Sequence, residues 1–408
     1  SWGLVGAIGL IGTLTAVLLV AWVGQDSPPR VGLVAWTADN AFGANIAAGA
    51  ERAEQEYDFQ LDQVETLIDQ HAQFREMAES HPDLIISDAG VVGSDVFADF
   101  PDINFGVIDG VVDAPNTQSI LFANEQGAYL VGMAAALKSQ TGIVGFVGAV
   151  PGNGATSFED FRAGYEAGAK AVSPTITVLA TYIEQPLVEG FTYFLNAFAR
   201  QDLARERALE LYSRGADVVF HAAGNAGFGV FRAAVDQSHA LGRHLWAIGV
   251  DSDQWFQISD PETRDHLLTS MIKRADLASY LIIEDYLSGN FHPGVRTLQI
   301  ADGALDYSTQ GSGMTAAIRA RLDQAKADII SGRIIVPTIP SGELLDLDPL
   351  PTGFADAVAQ VGEEEFWVIV DESSLLYSAE WEEACWVSGT RATCAQFILE
   401  RLRDAGVG

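Results

Sequence analysis

From residue 31 to about residue 331, short apolar runs alternate with longer amphipathic stretches. Residues 31–36, 84–86, 143–147, 218–220 and 245–250 are apolar throughout, 103–108 is apolar but for Asn104, and all are too short for helices, the pattern of strands buried on both faces. Residues 59–65 alternate, and 119–122, 176–182 and 295–300 also read as strands. Between them, residues 44–56, 70–80, 126–137, 158–172, 191–214, 275–287 and 315–331 carry helical spacing. In the last of these Ile318, Leu322, Ala325 and Ile329 share one face. Alternation of this kind predicts parallel sheets covered by helices on both faces. It runs twice, with a crossing expected near residues 134–141. The chain is therefore expected to form two α/β lobes, 31–138 (with part of 273–340 returning to it) and 139–272. Ligands of such sheets lie beyond the carboxyl ends of strands, and pockets favour domain interfaces, so one cleft between the lobes is the expected site.

The two ends depart from this pattern. Residues 1–25 carry no charge, and the apolar run 2–24 is long enough, at about 1.5 Å per residue, to cross a hydrocarbon core about 30 Å thick. The run exceeds the apolar core of a cleaved signal peptide and lacks a basic start, so it predicts a retained transmembrane anchor, with 26–30 as its linker. Gly3, Gly6, Gly9 and Gly12 recur at every third position and make a small-residue stripe on which a helix of a membrane partner would pack. Beyond Pro340 the composition shifts. Residues 341–408 hold Glu363, Glu364 and Glu365, Trp367, Trp381 and Trp386, and both cysteines, and read as a C-terminal appendage. Cys385 and Cys394 are too few for a four-ligand zinc site; in an oxidising compartment they would close a small disulfide loop.

Charge narrows the function classes. The formal net charge is −32, with four lysines among 23 basic residues, which repels nucleic acid and anionic headgroups. Seven scattered histidines include no HExxH pair, and no Ser-His-Asp, Cys-His or paired-carboxylate set assembles. A dinucleotide enzyme is the remaining catalytic reading. Gly224, Gly227 and Gly229 follow a strand and open a helix, with Asp251 after the next strand, but the order G-x-x-G-x-G is not that of the dinucleotide fingerprint. No cofactor is called for and the protein is not expected to be an enzyme.

Seven segments, in order, carry a more specific signal: 105–113 (FGVIDGVVD), 124–136 (NEQGAYLVGMAAA), 142–148 (GIVGFVG), 158–171 (FEDFRAGYEAGAKA), 216–234, 247–254 (AIGVDSDQ) and 268–276 (LTSMIKRAD). Together they resemble the basic membrane protein family of substrate-binding proteins, which includes purine nucleoside receptors of bacterial ABC transporters. The resemblance covers roughly residues 31–340. It implies a type I periplasmic-binding-protein fold, with two Rossmann-like lobes, a hinge of several crossings and a nucleoside held between them. The family's N-terminal motif is close to Asp-x-Ser-Phe-Asn. Here it reads Asp39, Asn40, Ala41, Phe42, Gly43: the aromatic ring is kept, while Ala41 and Gly43 lose hydrogen-bonding groups.

A nucleoside presents a flat base and a hydroxylated sugar. Phe42 and Phe228 would sandwich the base, one from each lobe. Asp251 would accept from vicinal ribose hydroxyls, because one carboxylate accepts two hydrogen bonds. Asp109 would meet a base edge, and Lys273 would donate to a ribose oxygen or hold Asp251. Gly224 and Gly227 would let the backbone approach, with Trp36 and Asn40 adding contacts and Asp88 and Asn225 weaker candidates. Each has a plainer alternative: the phenylalanines as core, the aspartates as helix caps, the lysine as a surface charge. The expected protein is thus a single-pass, membrane-anchored, extracytoplasmic solute-binding protein serving an ABC-type importer. A structural or sensory subunit of a larger membrane complex, with an altered cleft, is the alternative.

Overall fold

The computed structural model describes residues 28–35, 41–65, 70–150, 159–183, 197–198 and 200–345. The expected anchor with its Gly3, Gly6, Gly9 and Gly12 stripe, the candidates Trp36 and Asn40, and the appendage beyond residue 345 with Cys385 and Cys394 lie outside the described residues. Among the described residues, no helix is long and apolar enough to cross a membrane.

The strands in chain order are β1 (Arg30–Ala35), β2 (Gln60–Glu65), β3 (Leu84–Asp88), β4 (Asn104–Ile108), β5 (Thr117–Phe122) and β6 (Ile143–Gly148), then β7 (Thr177–Tyr182), β8 (Val218–Ala222), β9 (Trp246–Gly249), β10 (Leu267–Lys273), β11 (Gly294–Leu298) and β12 (Leu305–Tyr307). They form two six-stranded sheets, ordered β11-β5-β4-β3-β1-β2 and β12-β10-β9-β8-β6-β7. Every pairing is parallel except that of β12 with β10. The longer helices are α1 (Ala41–Glu56), α2 (Gln70–Glu79), α3 (Asn124–Lys138), α4 (Glu159–Val172), α5 (Gln201–Ser213), α6 (Phe228–Leu241), α7 (Ala275–Leu287) and α8 (Ala316–Ile330).

The expectation of two α/β lobes holds, and the first crossing moves. The chain leaves the first sheet after Phe122, and α3 already packs on the second lobe against α4, β10 and β12. The crossing therefore precedes α3 and does not lie at 134–141. The cause is close backbone packing: a Cβ at Gly132 would lie 2.2 Å from the Tyr165 carbonyl oxygen, and one at Gly168 would lie 2.0 Å from that of Tyr129. The Ala/Gly richness of 124–136, with no polar face, is the mark of two helices pressed together inside one lobe. The chain recrosses after Lys273 into α7, which packs on α1, and again between β11 of the first sheet and β12 of the second. The two lobes thus share three crossings, which form the hinge.

Three smaller corrections follow. Of the expected helix 191–214, the described part is helical only over Gln201–Ser213. The strand expected at 295–300 stops at Leu298 and gives way to a 3₁₀ turn at Ile300–Asp302. The three-residue antiparallel strand β12 was not expected. On one face of the first sheet Phe74, Phe97 and Phe105 meet with ring centroids 5.1–5.5 Å apart, and losing one such buried ring costs about 3–5 kcal/mol. This packing anchors the start of β4, the strand that leads to Asp109.

Candidate functional site

Two strands, one from each sheet, end in aspartates with unusual backbone geometry. Asp109 follows β4 with φ 64°, and Asp251 stands just beyond β9 with φ 66°. Left-handed geometry is disfavoured for L-residues, but aspartate is among the side chains that tolerate it. Both turns are held by the neighbouring strand. The Asp109 amide donates to the Ile120 carbonyl at 2.8 Å, and the Asp251 carbonyl accepts from the Lys273 amide at 2.8 Å.

Lys273, the last residue of β10, joins them. Its Nζ donates to Asp109 Oδ2 across the lobes at 2.5 Å and lies 3.8 Å from Asp251 Oδ1. The side chain is buried, with ring centroids of Phe42, Phe122 and Phe161 at 4.9, 5.3 and 5.2 Å from the ammonium. Burial pulls the lysine pKa down, but Asp109 and Asp251 outweigh it and leave it above its ordinary value. At Asp251 the balance is reversed. Burial raises its pKa more than Lys273 lowers it, so the shift is upward.

A further carboxylate stands beside this group. Asp160, in the first turn of α4, accepts from Asn124 Nδ2 at 3.2 Å and from the Phe161 amide at 2.8 Å. Burial lifts its pKa to about 6, with the Asp109 charge adding to the rise. Burial also lifts neighbouring Glu125 to about 7.

Phe42 lies in the first turn of α1 and Phe228 opens α6. With Ala41, Gly224, Asn225, Val250, Asp251, Gln254 and Gln257 they line one small cleft. The fold thus brings Phe42, Phe228, Gly224, Asn225 and Asp251 to a common cleft, and the ion pair joins Asp109 and Lys273 to it. Gly224 has φ 50°, which suits glycine. Gly227 does not line the cleft; it covers His221, whose Cε1 would lie 1.9 Å from a Cβ there. Asp88 is also elsewhere in role: it caps the turn at Ala89–Val91, accepting from the Gly90 amide at 2.8 Å and from Gln70 Nε2 at 2.8 Å.

Sequence reasoning missed the group that braces the Asp251 turn. Gln254 Oε1 accepts from the Val250 amide at 2.9 Å and stands 3.1 Å from His221 Nε2, while the Gln254 amide donates to Ser270 Oγ at 3.3 Å. Because the amide oxygen accepts, His221 carries its proton on Nε2. Burial drives the histidine pKa down to about 3, so the ring is neutral. The available signal was a pair of glycines, Gly227 and Gly249, whose missing side chains make room for the His221 ring and for Gln254. Phe122, Phe161 and Asp160 were missed for lack of any local pattern. Among the described residues, no group of His, Cys, Asp and Glu could hold a metal ion.

The two-lobed arrangement is similar to solved solute-binding proteins of ABC transporter systems. That of Aeropyrum pernix K1 superposes with a TM-score of 0.59 at 21% identity, over 82% of this chain and 97% of that one. That of Conexibacter woesei gives 0.58 at 22% identity, over 76% and 99%. At this identity the likeness concerns the fold. In sequence, the chain is 35% identical over 247 residues to the CD4+ T-cell-stimulating antigen of Listeria monocytogenes, covering 59% of this chain and 65% of that protein. It is 32% identical over 246 residues to the ABC transporter nucleoside-binding protein BmpA of Lactococcus lactis, covering 58% and 65%. The matched region thus spans just under two thirds of the length of these relatives. The family model for PnrA-like ABC transporter substrate-binding proteins matches residues 31–339, and the chain belongs to that Bmp family.

Proposed function

We propose that the protein is a membrane-anchored, extracytoplasmic solute-binding protein that closes its lobes on a nucleoside-like ligand for an ABC-type importer and does no chemistry on it. The observation that carries this reading is the pairing of Phe42 and Phe228, one from each lobe, in the cleft that also holds Asp251. Two rings on opposite walls suit a flat base, and stacking of a base on an aromatic side chain contributes about 1–3 kcal/mol. Both rings reach the base only when the lobes are together, so binding is linked to closure.

In this reading Asp251 accepts from the vicinal hydroxyls of the sugar, Asp109 takes a base edge and Lys273 serves a ribose oxygen or holds Asp251. Gly224 admits the backbone, and Trp36 and Asn40 contribute from the segment just before α1. Ala41 and Gly43 remove hydrogen-bonding groups from the first lobe's side, which shifts the burden of recognition to the second. The nucleoside assignment is supported by the name of the Lactococcus relative and by the family match. The uncharged run 2–24 supports attachment to the membrane, with the Gly3, Gly6, Gly9 and Gly12 stripe facing a membrane partner. Protease added to intact cells should then cut the large domain; cutting only after permeabilisation would overturn the topology.

A thermal-shift screen against purine and pyrimidine nucleosides tests the ligand. A ligand at 100 times its Kd stabilises by about 2.7 kcal/mol. At least one nucleoside should raise the melting temperature of the wild type, and raise that of Asp251→Asn by less. No shift with any of them would overturn the assignment.

A further inference from the structure

Away from the cleft, α4 buries two opposite charges that the binding site does not use. Arg162 is 4% exposed and Glu166 is 2% exposed. Arg162 Nε donates to Glu166 Oε1 at 2.8 Å, and Arg162 Nη1 donates to Glu159 Oε2 at 3.3 Å. A buried ion pair of this kind is costly unless its remaining atoms are satisfied. Here they are satisfied by the chain's own exit. Glu166 Oε2 accepts from the Ser341 amide at 2.9 Å, the Gly342 amide at 2.8 Å and Ser341 Oγ at 3.1 Å. Arg162 Nη2 donates to the Gly342 carbonyl, and Lys170 Nζ donates to Ser341 Oγ at 2.8 Å.

The arm then reaches the sheet. β7 is an edge strand of the second sheet, and the Leu345 amide donates to the Ala180 carbonyl in it at 2.9 Å, with the Leu345 side chain packed on the second lobe's core. The arm is thus bonded to that lobe at both of its ends. The other end of the described chain is bonded to the first lobe. The Arg30 amide donates to Asp83 Oδ2 at 2.7 Å, and its guanidinium donates to Asp62 Oδ2 at 2.7 Å and to the Ser80 carbonyl at 2.8 Å.

We propose that Arg162 and Glu166 form a built cradle for the backbone of Ser341–Gly342, which makes the chain's exit a rigid part of the second lobe. Hinge motion of the lobes then moves whatever follows Leu345 relative to whatever precedes Arg30. The family match ends at residue 339, so the seated arm lies beyond it. A segment carried by this arm is in a position to report lobe closure to a partner held near the chain's entry.

Paired spin labels in the full chain test this, with Cys385 and Cys394 changed to Ser. One label goes on the arm (Glu343→Cys), the other on the second lobe (Arg232→Cys) or the first (Glu51→Cys). The 343–232 pair should give one narrow distance. Ser341→Pro, which removes both the amide and the hydroxyl that bond to α4 while leaving the residues of α4 unchanged, should at least double the width of that distribution, and Glu166→Gln should broaden it less. Asp109→Lys sets two ammonium groups against each other across the lobes; where it opens them, the 343–51 distance should change while 343–232 stays. A broad 343–232 distribution in the wild type would overturn the proposal, as would one that neither arm nor cradle variant broadens. So would a 343–232 distance that changes on opening while 343–51 does not. The comparison of wild type with Ser341→Pro and Glu166→Gln decides by itself and needs neither a ligand nor lobe opening.

Discussion

Asp109 and Asp251 occupy equivalent places in the two lobes, and their partners differ. Each follows a central strand, and each adopts positive φ, 64° and 66°. Yet Lys273, which belongs to the second lobe, bonds at 2.5 Å to Asp109 of the first and stands 3.8 Å from Asp251 of its own. The cross-lobe contact sets the two lobes in register. The same-lobe aspartate is left with a weaker partner in a buried setting, which is why its pKa lies above the ordinary carboxylate value. In the proposed reading one aspartate serves closure and the other accepts from the ligand.

The strongest way to break this comparison is to remove the shared partner. Lys273→Met leaves two carboxylates with no ammonium between them, and breaking a buried pair costs about 3–5 kcal/mol. Thermal denaturation should show that loss, and nucleoside binding should disappear. The next test separates the aspartates. Asparagine is used because it tolerates positive φ. Asp251→Asn should weaken binding by about 10-fold or more, on the scale of a charged hydrogen-bonding group worth about 1.5–3 kcal/mol, with the lobes still closing. Asp109→Asn should weaken binding less and loosen closure more, read as a broader distribution between labels on the two lobes. Equal effects of the two variants on affinity and closure would remove the distinction.

Smaller effects are expected from the aromatic walls. Phe42→Ala and Phe228→Ala should each cost about 1–3 kcal/mol of binding by calorimetry, the range for base stacking. A loss at Phe228 alone would place recognition wholly in the second lobe.

A pH dependence of stability, outside the comparison of the aspartates, comes last. Burial raises Asp160 from 3.8 to about 6 and Glu125 from 4.5 to about 7. The folded chain therefore holds protons that the unfolded chain has released. The share of stability from these groups is greatest below about pH 4, falls as pH rises to about 7, and is level above that. Glu125→Gln should flatten that decline, by roughly 1–3 kcal/mol at pH 7 relative to acid. Chemical denaturation of wild type and variant at several pH values measures it. His221, with its pKa driven down to about 3, acts oppositely below its ordinary value of 6.5, so the difference between variant and wild type is the quantity to compare.

Much of this arrangement was legible in the sequence, for a physical reason. Strands buried on both faces must be apolar throughout, so β1, β3, β4, β6, β8 and β9 stand out as runs, and the first polar residues after them mark the cleft side of each sheet. That logic found Asp109 and Asp251, and it misplaced Asp88, where the same pattern serves a capping turn. The lobe crossing was misread because α3 is packed on nearly every side and shows no polar face. β12 was invisible because three residues carry no period. His221, Gln254, Asp160 and the Arg162–Glu166 cradle depend on contacts between residues far apart in the chain, and local spacing does not encode them. The glycines were the nearest local trace: Gly227 under His221, Gly249 beside Gln254, and Gly342 beside Glu166.

Isothermal titration of the full chain with a panel of purine and pyrimidine nucleosides, run in parallel on Asp251→Asn, tests the central claim most directly. The account predicts saturable one-to-one binding of at least one nucleoside by the wild type, weakened about 10-fold or more by the substitution. No binding of any nucleoside, or binding that Asp251→Asn leaves unchanged, would contradict it.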